Sequence, residues 1–310
     1  MLQAPAAGTD IARTSLFVAL GLVTVYFLVV VVRALRASAA AGESIKTPHQ
    51  ISLTSFIANF FDTLGVGSFA PTTAAFRQWR MVRDERIPGT LNIGYTLPTI
   101  AEAFIFTKIV PVDTMTLVLM IGAAILGAWL GASVICAWPR RRIQAGMGLA
   151  LLGFAVILLV RQLNLTPGGT LLQLTGARLA IGVVANFMLG ALMTLGIGLY
   201  APCLILISLL GMNPTAAFPI MMGSCAFLMP FASARFARTG SFEPKALVGM
   251  LIAGVPAVLI AGLVVKSLPL YWVNWLVVLV ATYAALSLLA AARRERNLAA
   301  DATAAKTQPA

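Results

Sequence analysis

The chain has 310 residues, of which 60% are apolar and only 10% are charged, whereas soluble domains run near 45–50% apolar and about 25% charged. This balance excludes a water-soluble enzyme. The charges are mostly positive, with 22 Lys and Arg against 10 Asp and Glu and a formal net charge of +12. Such an excess indicates contact with nucleic acid, anionic lipid or an anionic ligand, or it records the orientation of a membrane protein.

The residues that usually carry redox or metal chemistry are scarce. The three cysteines, Cys136, Cys203 and Cys225, lie inside apolar runs without a Cys-x-x-Cys spacing, and His49 is the single histidine. This pattern predicts no disulfide framework, no metal centre and no cofactor. Because the sequence also lacks a nucleophile–base pair and a soluble domain, an enzyme is not expected.

Apolar segments long enough to span a membrane recur along the chain, since a spanning helix needs about 20 residues. The first, residues 15–32, is too long for a signal peptide, and its flanking positive charges, Arg33 and Arg36, follow it. It is predicted to be a retained helix with its N-terminus outside. The later predicted spans are residues 91–107, 114–138, 143–160, 215–234, 246–265 and 271–292.

A nine-residue motif occurs twice, as TLGVGSFAP at residues 63–71 and as TLGIGLYAP at residues 194–202. An Ala-Asn-Phe triplet precedes each copy and contributes Asn59 or Asn186, and a proline, Pro88 or Pro214, follows. A proline of this kind is suited to open the next helix. The two copies therefore predict an internal repeat.

Each copy of the motif is predicted to interrupt a helix. Two glycines without a Cβ are followed by a proline without an N–H, and unwound backbone at membrane depth is tolerated only inside protein or along a cavity. Paired interruptions in two halves of a chain indicate a transporter site, although two ordinary kinked helices remain an alternative. The residues concerned are Gly65, Gly67 and Pro71 in the first copy and Gly196, Gly198 and Pro202 in the second.

The positive charges discriminate between topologies. If both broken segments are re-entrant hairpins and the N-terminus is outside, most Lys and Arg residues lie inside; the outer ones are Arg13, Lys108, Arg161, Arg178 and Lys266. Full crossings would distribute the charges more evenly, so the positive-inside rule favours hairpins. The predicted fold is an all-α polytopic membrane protein with inverted-topology repeats, each a hairpin plus three spanning helices, and one extra N-terminal helix.

The predicted organisation has four parts. Residues 1–48 form the N-terminal transmembrane helix and a cytoplasmic linker, residues 49–162 the first membrane repeat, residues 176–293 the inverted second repeat, and residues 294–310 a disordered cytoplasmic tail. The basic segment 77–86 is predicted to lie near anionic lipid headgroups. No nucleic-acid partner is expected.

These motifs resemble the TauE/SafE sulfite exporter family of bacterial permeases. The resemblance rests on the duplicated Gly-x-Gly-x-x-Ala-Pro element, on RIPGTLN at residues 86–92 and on FPIMMGSCA at residues 218–226, and it extends over roughly residues 51–292. It implies a secondary transporter of small anions such as sulfite, organosulfonates or thiosulfate, located in the bacterial cytoplasmic membrane.

The predicted substrate site relies on backbone dipoles, because no Arg or Lys falls near the middle of a predicted span. Half-helix starts expose N–H groups with a partial positive charge of about half a unit. Amides near the four glycines could therefore bind an oxyanion, with side-chain donors from Asn59, Thr63, Asn186 and Thr194. Capping or helix packing is the alternative role for these side chains.

Asp62 and Glu102 are the acidic residues within the apolar segments. Since an intramembrane carboxyl group is costly, both are candidates for proton coupling, and a hydrogen bond to a neighbouring helix is the alternative for Glu102. Cys203, immediately after the second motif, is a candidate substrate contact, although a buried cysteine is usually a small apolar filler.

The first hypothesis is an exporter that works by alternating access between the repeats. Moving one charge through 100 mV is worth about 2.3 kcal/mol, so anions leave a negative cell interior without coupling. The alternatives are an uncoupled anion channel on the same architecture and proton- or sodium-coupled uptake of an organic anion. The expected partners are the small anion and membrane lipids, and a homo-oligomer remains open.

Overall fold

The computed structural model describes residues 7–65, 67–135, 169–193 and 199–267, with single positions between 145 and 163 and between 272 and 294. Throughout the described part, the regular elements are helices. Four of them are long and apolar enough to cross a membrane, as expected of an integral membrane protein. The spans are Ile11–Ala40, Gly176–Met193, Pro214–Thr239 and Pro244–Val264.

The helices follow one another in two similar series after a long first helix. The first series contains α2, α3, α4 and α5, and the second contains α6, α7, α8 and α9. Their bounds are Ala7–Ala40 for α1, His49–Thr63 for α2, Phe69–Gln78 for α3, Ile87–Ile109 for α4, Thr114–Ile135 for α5, Gly176–Met193 for α6, Tyr200–Leu209 for α7, Ala217–Thr239 for α8 and Pro244–Ser267 for α9. Short 3-10 helices, Asp84–Arg86 and Pro214–Ala216, precede α4 and α8.

The two series match element by element. The short helices α3 and α7 have 10 residues each, and α4 and α8 have 23 residues each. The spans predicted at residues 15–32, 91–107, 215–234 and 246–265 are confirmed as helices, and 114–138 is helical to Ile135. Most of 143–160 and 271–292 lies outside the described residues.

The first predicted break is present. Helix α2 ends at Thr63 and α3 begins at Phe69. Gly65 and Gly67 have φ values of 94° and 85°, in the left-handed region that glycine adopts without steric cost. The second predicted break falls on residues 194–198, which lie outside the described part of the chain.

The last helix of each series packs against the first helix of the other series. Helix α5 packs against α6, α9 packs against α2, and α4 packs against α8. Glycines allow the backbones to approach closely. A Cβ added at Gly127 of α5 would lie 1.8 Å from the Phe187 carbonyl oxygen of α6, and one at Gly190 of α6 would lie 2.0 Å from the Ala124 carbonyl oxygen of α5.

The contacts between α4 and α8 give their relative direction. In the first half of α4, Thr96 Oγ1 lies 2.9 Å from Ser233 Oγ in the second half of α8. Near the end of α4, the Phe106 ring stacks at 5.1 Å on Phe218 at the start of α8. These two equivalent helices therefore run antiparallel. Helix α8 lies inside the bundle, with 78% of its span buried, whereas α1 lies at the periphery with 17%.

One end of the bundle, named the A face, is where α2, α4 and α9 begin. Thr47 Oγ1, just before α2, donates to the Lys245 carbonyl oxygen at the start of α9 over 2.5 Å. Arg86, just before α4, forms ion pairs with Glu43 at 3.0 Å and with Glu243 at 3.8 Å. Both the start of α2 and the loop that follows α3 therefore lie at the A face.

The opposite end, named the B face, is where α5, α6 and α8 begin. The Asp113 N–H, before α5, donates to the Leu172 carbonyl oxygen, before α6, over 3.0 Å. The Leu171 N–H donates to the Gly211 carbonyl oxygen, which follows α7, over 3.3 Å. Each pair of helices at a repeated motif thus starts and ends on its own face, α2–α3 at A and α6–α7 at B.

Candidate functional site

Glu102 lies between the end of α2 and the start of α7. Its side chain, on α4, is fully buried. Thr63 Oγ1, at the end of α2, donates to Glu102 Oε1 over 2.7 Å, and the Tyr200 hydroxyl, at the start of α7, donates to Oε2 over 2.9 Å. One carboxyl group therefore connects the first break with the helix that follows the second.

The hydroxyl of Thr63 has more neighbours than it has hydrogens. Besides Glu102 Oε1, it contacts the Asn59 carbonyl oxygen one helical turn earlier, at 2.8 Å. A hydroxyl carries one hydrogen and a backbone carbonyl can only accept. A proton on the Glu102 carboxyl would supply the second hydrogen, and Thr63 would then donate to Asn59 while accepting from Glu102.

Asp62 closes the first break. Its side chain is 3% exposed, and it accepts from the Ser68 N–H at 2.8 Å and from Ser68 Oγ at 3.0 Å. Ser68 is the N-cap residue of α3, so this carboxyl group satisfies an N–H that would otherwise lack a helical partner. It also lies within electrostatic range of Glu102.

Asn59 and Asn186 occupy equivalent places in the two repeats and share an unusual feature. Both are fully buried, and Oδ1 of each lacks a hydrogen-bond partner in the part of the chain that the structure describes. Their amide nitrogens are engaged, Asn59 with the Ser55 carbonyl oxygen at 2.8 Å and Asn186 with the Met120 carbonyl oxygen at 2.6 Å. Since an unpaired buried acceptor is costly, the two oxygens are places where a donor from a proton carrier or a ligand would be stabilised.

The remaining predicted residues are distributed as follows. The Gly65 N–H donates to the Asp62 carbonyl oxygen over 2.7 Å, and a Cβ at Gly65 would meet the Phe218 ring of α8 at 3.7 Å. Gly67 lies next to Ser68 without steric contact at its missing Cβ. Pro71 and Pro202 lie within the first turn of α3 and α7. Thr194, Gly196 and Gly198 lie outside the described residues.

The two described cysteines are close to the same region. Cys203, on α7, and Cys225, on α8, are buried and free. The Cys225 thiol donates to the Met193 sulfur over 3.7 Å. Within the described residues, no group of three metal-binding side chains is present.

Sequence reasoning did not identify Tyr200 and Ser68 as site residues. The repeat contains a signal for Tyr200, because the aligned motifs place Phe69 in the first copy where Tyr200 stands in the second. Phe69 contacts Tyr95 of α4, ring centroid to centroid, at 5.8 Å, whereas Tyr200 contacts Glu102 through its hydroxyl. Of the two aligned positions, the second alone carries a hydroxyl, and this hydroxyl is the hydrogen-bond partner of the Glu102 carboxyl group.

Comparisons with known proteins add no relative. A scan against known protein families finds no match, and searches of curated proteins and of solved structures also find none.

Proposed function

We propose that the chain is a secondary membrane transporter of small sulfur-containing anions, such as sulfite or organosulfonates, and that it works by alternating access between inverted repeats. The supporting observation is the position of Glu102, which is hydrogen-bonded to Thr63 beside one break and to Tyr200 beside the other. A group held by both repeats is placed to respond when they move against each other. The resemblance to the TauE/SafE family supplies the substrate class.

The inverted topology is supported by the packing. Helices α4 and α8 are equivalent in the two repeats and cross antiparallel, and each broken pair returns to the face at which it starts. With the A face in the cytoplasm, the start of α1 lies outside, and the span predicted at residues 271–292 would return the C-terminus to the inside. The charges agree with this orientation, since Arg13 lies beside Thr107 and Lys108 at the B face while Arg80, Arg83 and Arg86 lie at the A face.

The anion would bind at the start of the half-helices that follow the breaks. Helix α3 starts beside Ser68 and α7 starts at Tyr200, and helix starts present N–H groups with partial positive charge. No Arg or Lys contacts Asp62 or Glu102 in the described residues. A negative substrate beside two carboxyl groups therefore requires that these groups carry protons or bind cations.

Proton coupling through Glu102 meets this requirement for one of the two carboxyl groups. A protonated Glu102 satisfies both neighbours of the Thr63 hydroxyl and removes one negative charge from the site. Transfer of a proton together with a monovalent anion is electroneutral. It avoids the electrical work of about 2.3 kcal/mol per 100 mV that anion uptake into a negative cell interior must overcome, whereas anion export needs no such coupling. The buried carboxyl cluster, Asp62 and Glu102, thus favours coupled transport over the uncoupled channel.

Flux measurements in proteoliposomes test this function. Sulfite, sulfoacetate, thiosulfate and taurine would be offered in turn, with internal pH followed by a trapped dye. The expected result is saturable flux of at least one sulfur-containing anion together with proton movement, and loss of the proton movement in Glu102→Gln. Glu85→Gln, the same substitution on an exposed loop residue, is the control and should leave both fluxes intact.

Other outcomes decide between the alternatives. Measurable electrical conductance without proton movement would show that the protein is an uncoupled anion channel and not a coupled transporter. Absence of flux for all four compounds, in vesicles that contain folded protein, would overturn the proposed substrate class. Gradient-driven accumulation by Glu102→Gln at the wild-type rate would remove Glu102 from the coupling mechanism.

A further inference from the structure

A cleft of about 370 Å³ opens at the A face, away from the buried carboxyl cluster. Three segments form it: the linker between α1 and α2, the loop between α3 and α4, and the loop between α8 and α9 together with the first turn of α9. The linker contributes Glu43, the second segment contributes Arg80 and Arg83, and the third contributes Glu243 and Lys245. Its volume is at the lower end of ligand pockets, which span about 300–1,000 Å³.

Charges in the cleft are only partly balanced. Arg86, which also lines it, pairs with Glu43 at 3.0 Å and with Glu243 at 3.8 Å, and Lys245 lies 4.0 Å from the Glu243 carboxylate. Both carboxylates are therefore engaged. The side chains of Arg80 and Arg83 are exposed, and neither forms an ion pair with any residue that the structure describes. Within the described residues, these two guanidinium groups have no negative partner.

The loop that carries these two arginines is ordered by its own contacts. Arg77 and Asp84 form an ion pair at 3.3 Å, Nε to Oδ1, across the loop. Arg80 itself has φ of 49°, an unfavourable value for a residue with a side chain and one that favours glycine. The backbone conformation favours glycine and not arginine here. We therefore attribute the presence of Arg80 to a role of its side chain.

From these observations we infer that the A-face cleft is a binding site for a phosphate group, with Arg80 and Arg83 as its anchors and Lys245 as a third cation. A guanidinium group presents paired donors that match phosphate oxygens, and a lysine binds phosphate as a point charge. The lining has two more cationic side chains than carboxylates. This net positive charge suits a phosphate ester or a phosphate ion. This chemistry is shared by an anionic lipid headgroup and by soluble phosphate.

Binding there would connect the two repeats. Arg80 and Arg83 follow the first broken pair, α2–α3, whereas Lys245 begins α9 of the second repeat. A phosphate held by all three would hold these two segments together at the A face. The inference does not depend on which anion is transported.

Thermal unfolding of the full-length chain tests the site with two probes. In detergent, the midpoint would be measured against increasing inorganic phosphate at constant ionic strength. In nanodiscs, it would be compared between phosphatidylglycerol and phosphatidylcholine. The variant is Arg80→Ala/Arg83→Ala, and its matched control is Arg36→Ala/Arg238→Ala, which also removes two exposed arginines near the A face.

The wild type and the control are expected to be stabilised by at least one of the two probes. In the cleft variant, the phosphate concentration needed for half the effect should rise about tenfold or more, as expected for the loss of a charge-assisted hydrogen bond. A shift with phosphatidylglycerol alone assigns the ligand to lipid, and a shift with inorganic phosphate assigns it to a soluble phosphate.

Arg80→Gly separates ligand binding from folding. It relieves the unfavourable backbone at this position, so the ligand-free protein should be at least as stable as the wild type, while the response to the probe should weaken. Equal responses of the wild type and the Arg80→Ala/Arg83→Ala variant, or no response to either probe, would overturn the inference.

Discussion

The Tyr200 hydroxyl donates to Glu102 Oε2 over 2.9 Å, although the two residues are 98 positions apart in the chain. Tyr200 begins the helix after the second break, and Glu102 belongs to the first repeat. The contact can therefore form only when the two repeats approach each other, and a relative movement of the repeats would alter it.

Replacing Tyr200 by Phe should weaken both stability and proton coupling. The change leaves the ring in place but deprives the buried Glu102 Oε2 of its donor, which costs about 1–3 kcal/mol. We expect a lower unfolding midpoint and a weakened proton movement per anion, measured in the same proteoliposomes. Tyr26→Phe, on the exposed side of α1, is the control and should change neither quantity; equal effects of both variants would contradict the role of the Tyr200 hydroxyl.

Asp62 provides a second prediction, because its carboxyl group accepts twice from Ser68 at the start of α3. Asp62→Ala should destabilise the protein by about 1–2 kcal/mol through the lost cap, whereas Asp62→Asn retains an acceptor and should cost less. Denaturant or thermal unfolding in detergent measures both. Asp84→Ala, whose ion pair with Arg77 is exposed, should remain within about 1 kcal/mol of the wild type. Asparagine as damaging as alanine would show that the charge, and not the cap, is what matters.

The first break illustrates what the sequence predicts well. Gly65 and Gly67 disrupt a helix for local reasons, because glycine adopts positive φ at no steric cost, and the structure has both residues in that conformation. The order of helices followed from the positions of apolar runs and prolines. Such features depend on neighbours along the chain and can be derived without knowledge of the fold.

Long-range contacts could not be derived in this way. The pairing of Glu102 with Tyr200 has no local cause. The same is true of the Asn59 and Asn186 oxygens, which have no partner among the residues that the structure describes. The same holds for the packing of α5 against α6, where Gly127 lies against the Phe187 backbone. In the sequence, a glycine that contacts lipid cannot be distinguished from one that contacts another helix, because both lie inside an apolar run.

Glycine substitutions in α5 test that packing. Gly127→Ala would place a Cβ 1.8 Å from a backbone carbonyl oxygen that cannot rotate away, so the helices must separate. We expect destabilisation of about 1–3 kcal/mol or more. Gly122→Ala, in the same helix, has nothing within 4 Å of the new Cβ and should be neutral or slightly stabilising because alanine favours helix. Unfolding midpoints that do not differ between the two variants would contradict the close approach of α5 and α6.

The proposed orientation predicts which exposed residues an external reagent reaches. Ser44 lies beside the A-face cleft, whereas Gln173 precedes α6 at the B face, and both are exposed. In intact cells, a membrane-impermeant maleimide should label Gln173→Cys and leave Ser44→Cys unlabelled until the membrane is permeabilised. The wild type, whose described cysteines Cys203 and Cys225 are buried, controls for background. If Ser44→Cys is labelled and Gln173→Cys is protected, the A face is external and the orientation must be reversed. If both are labelled from outside, the α2–α3 and α6–α7 pairs do not return to opposite sides of the membrane, and the inverted topology is wrong.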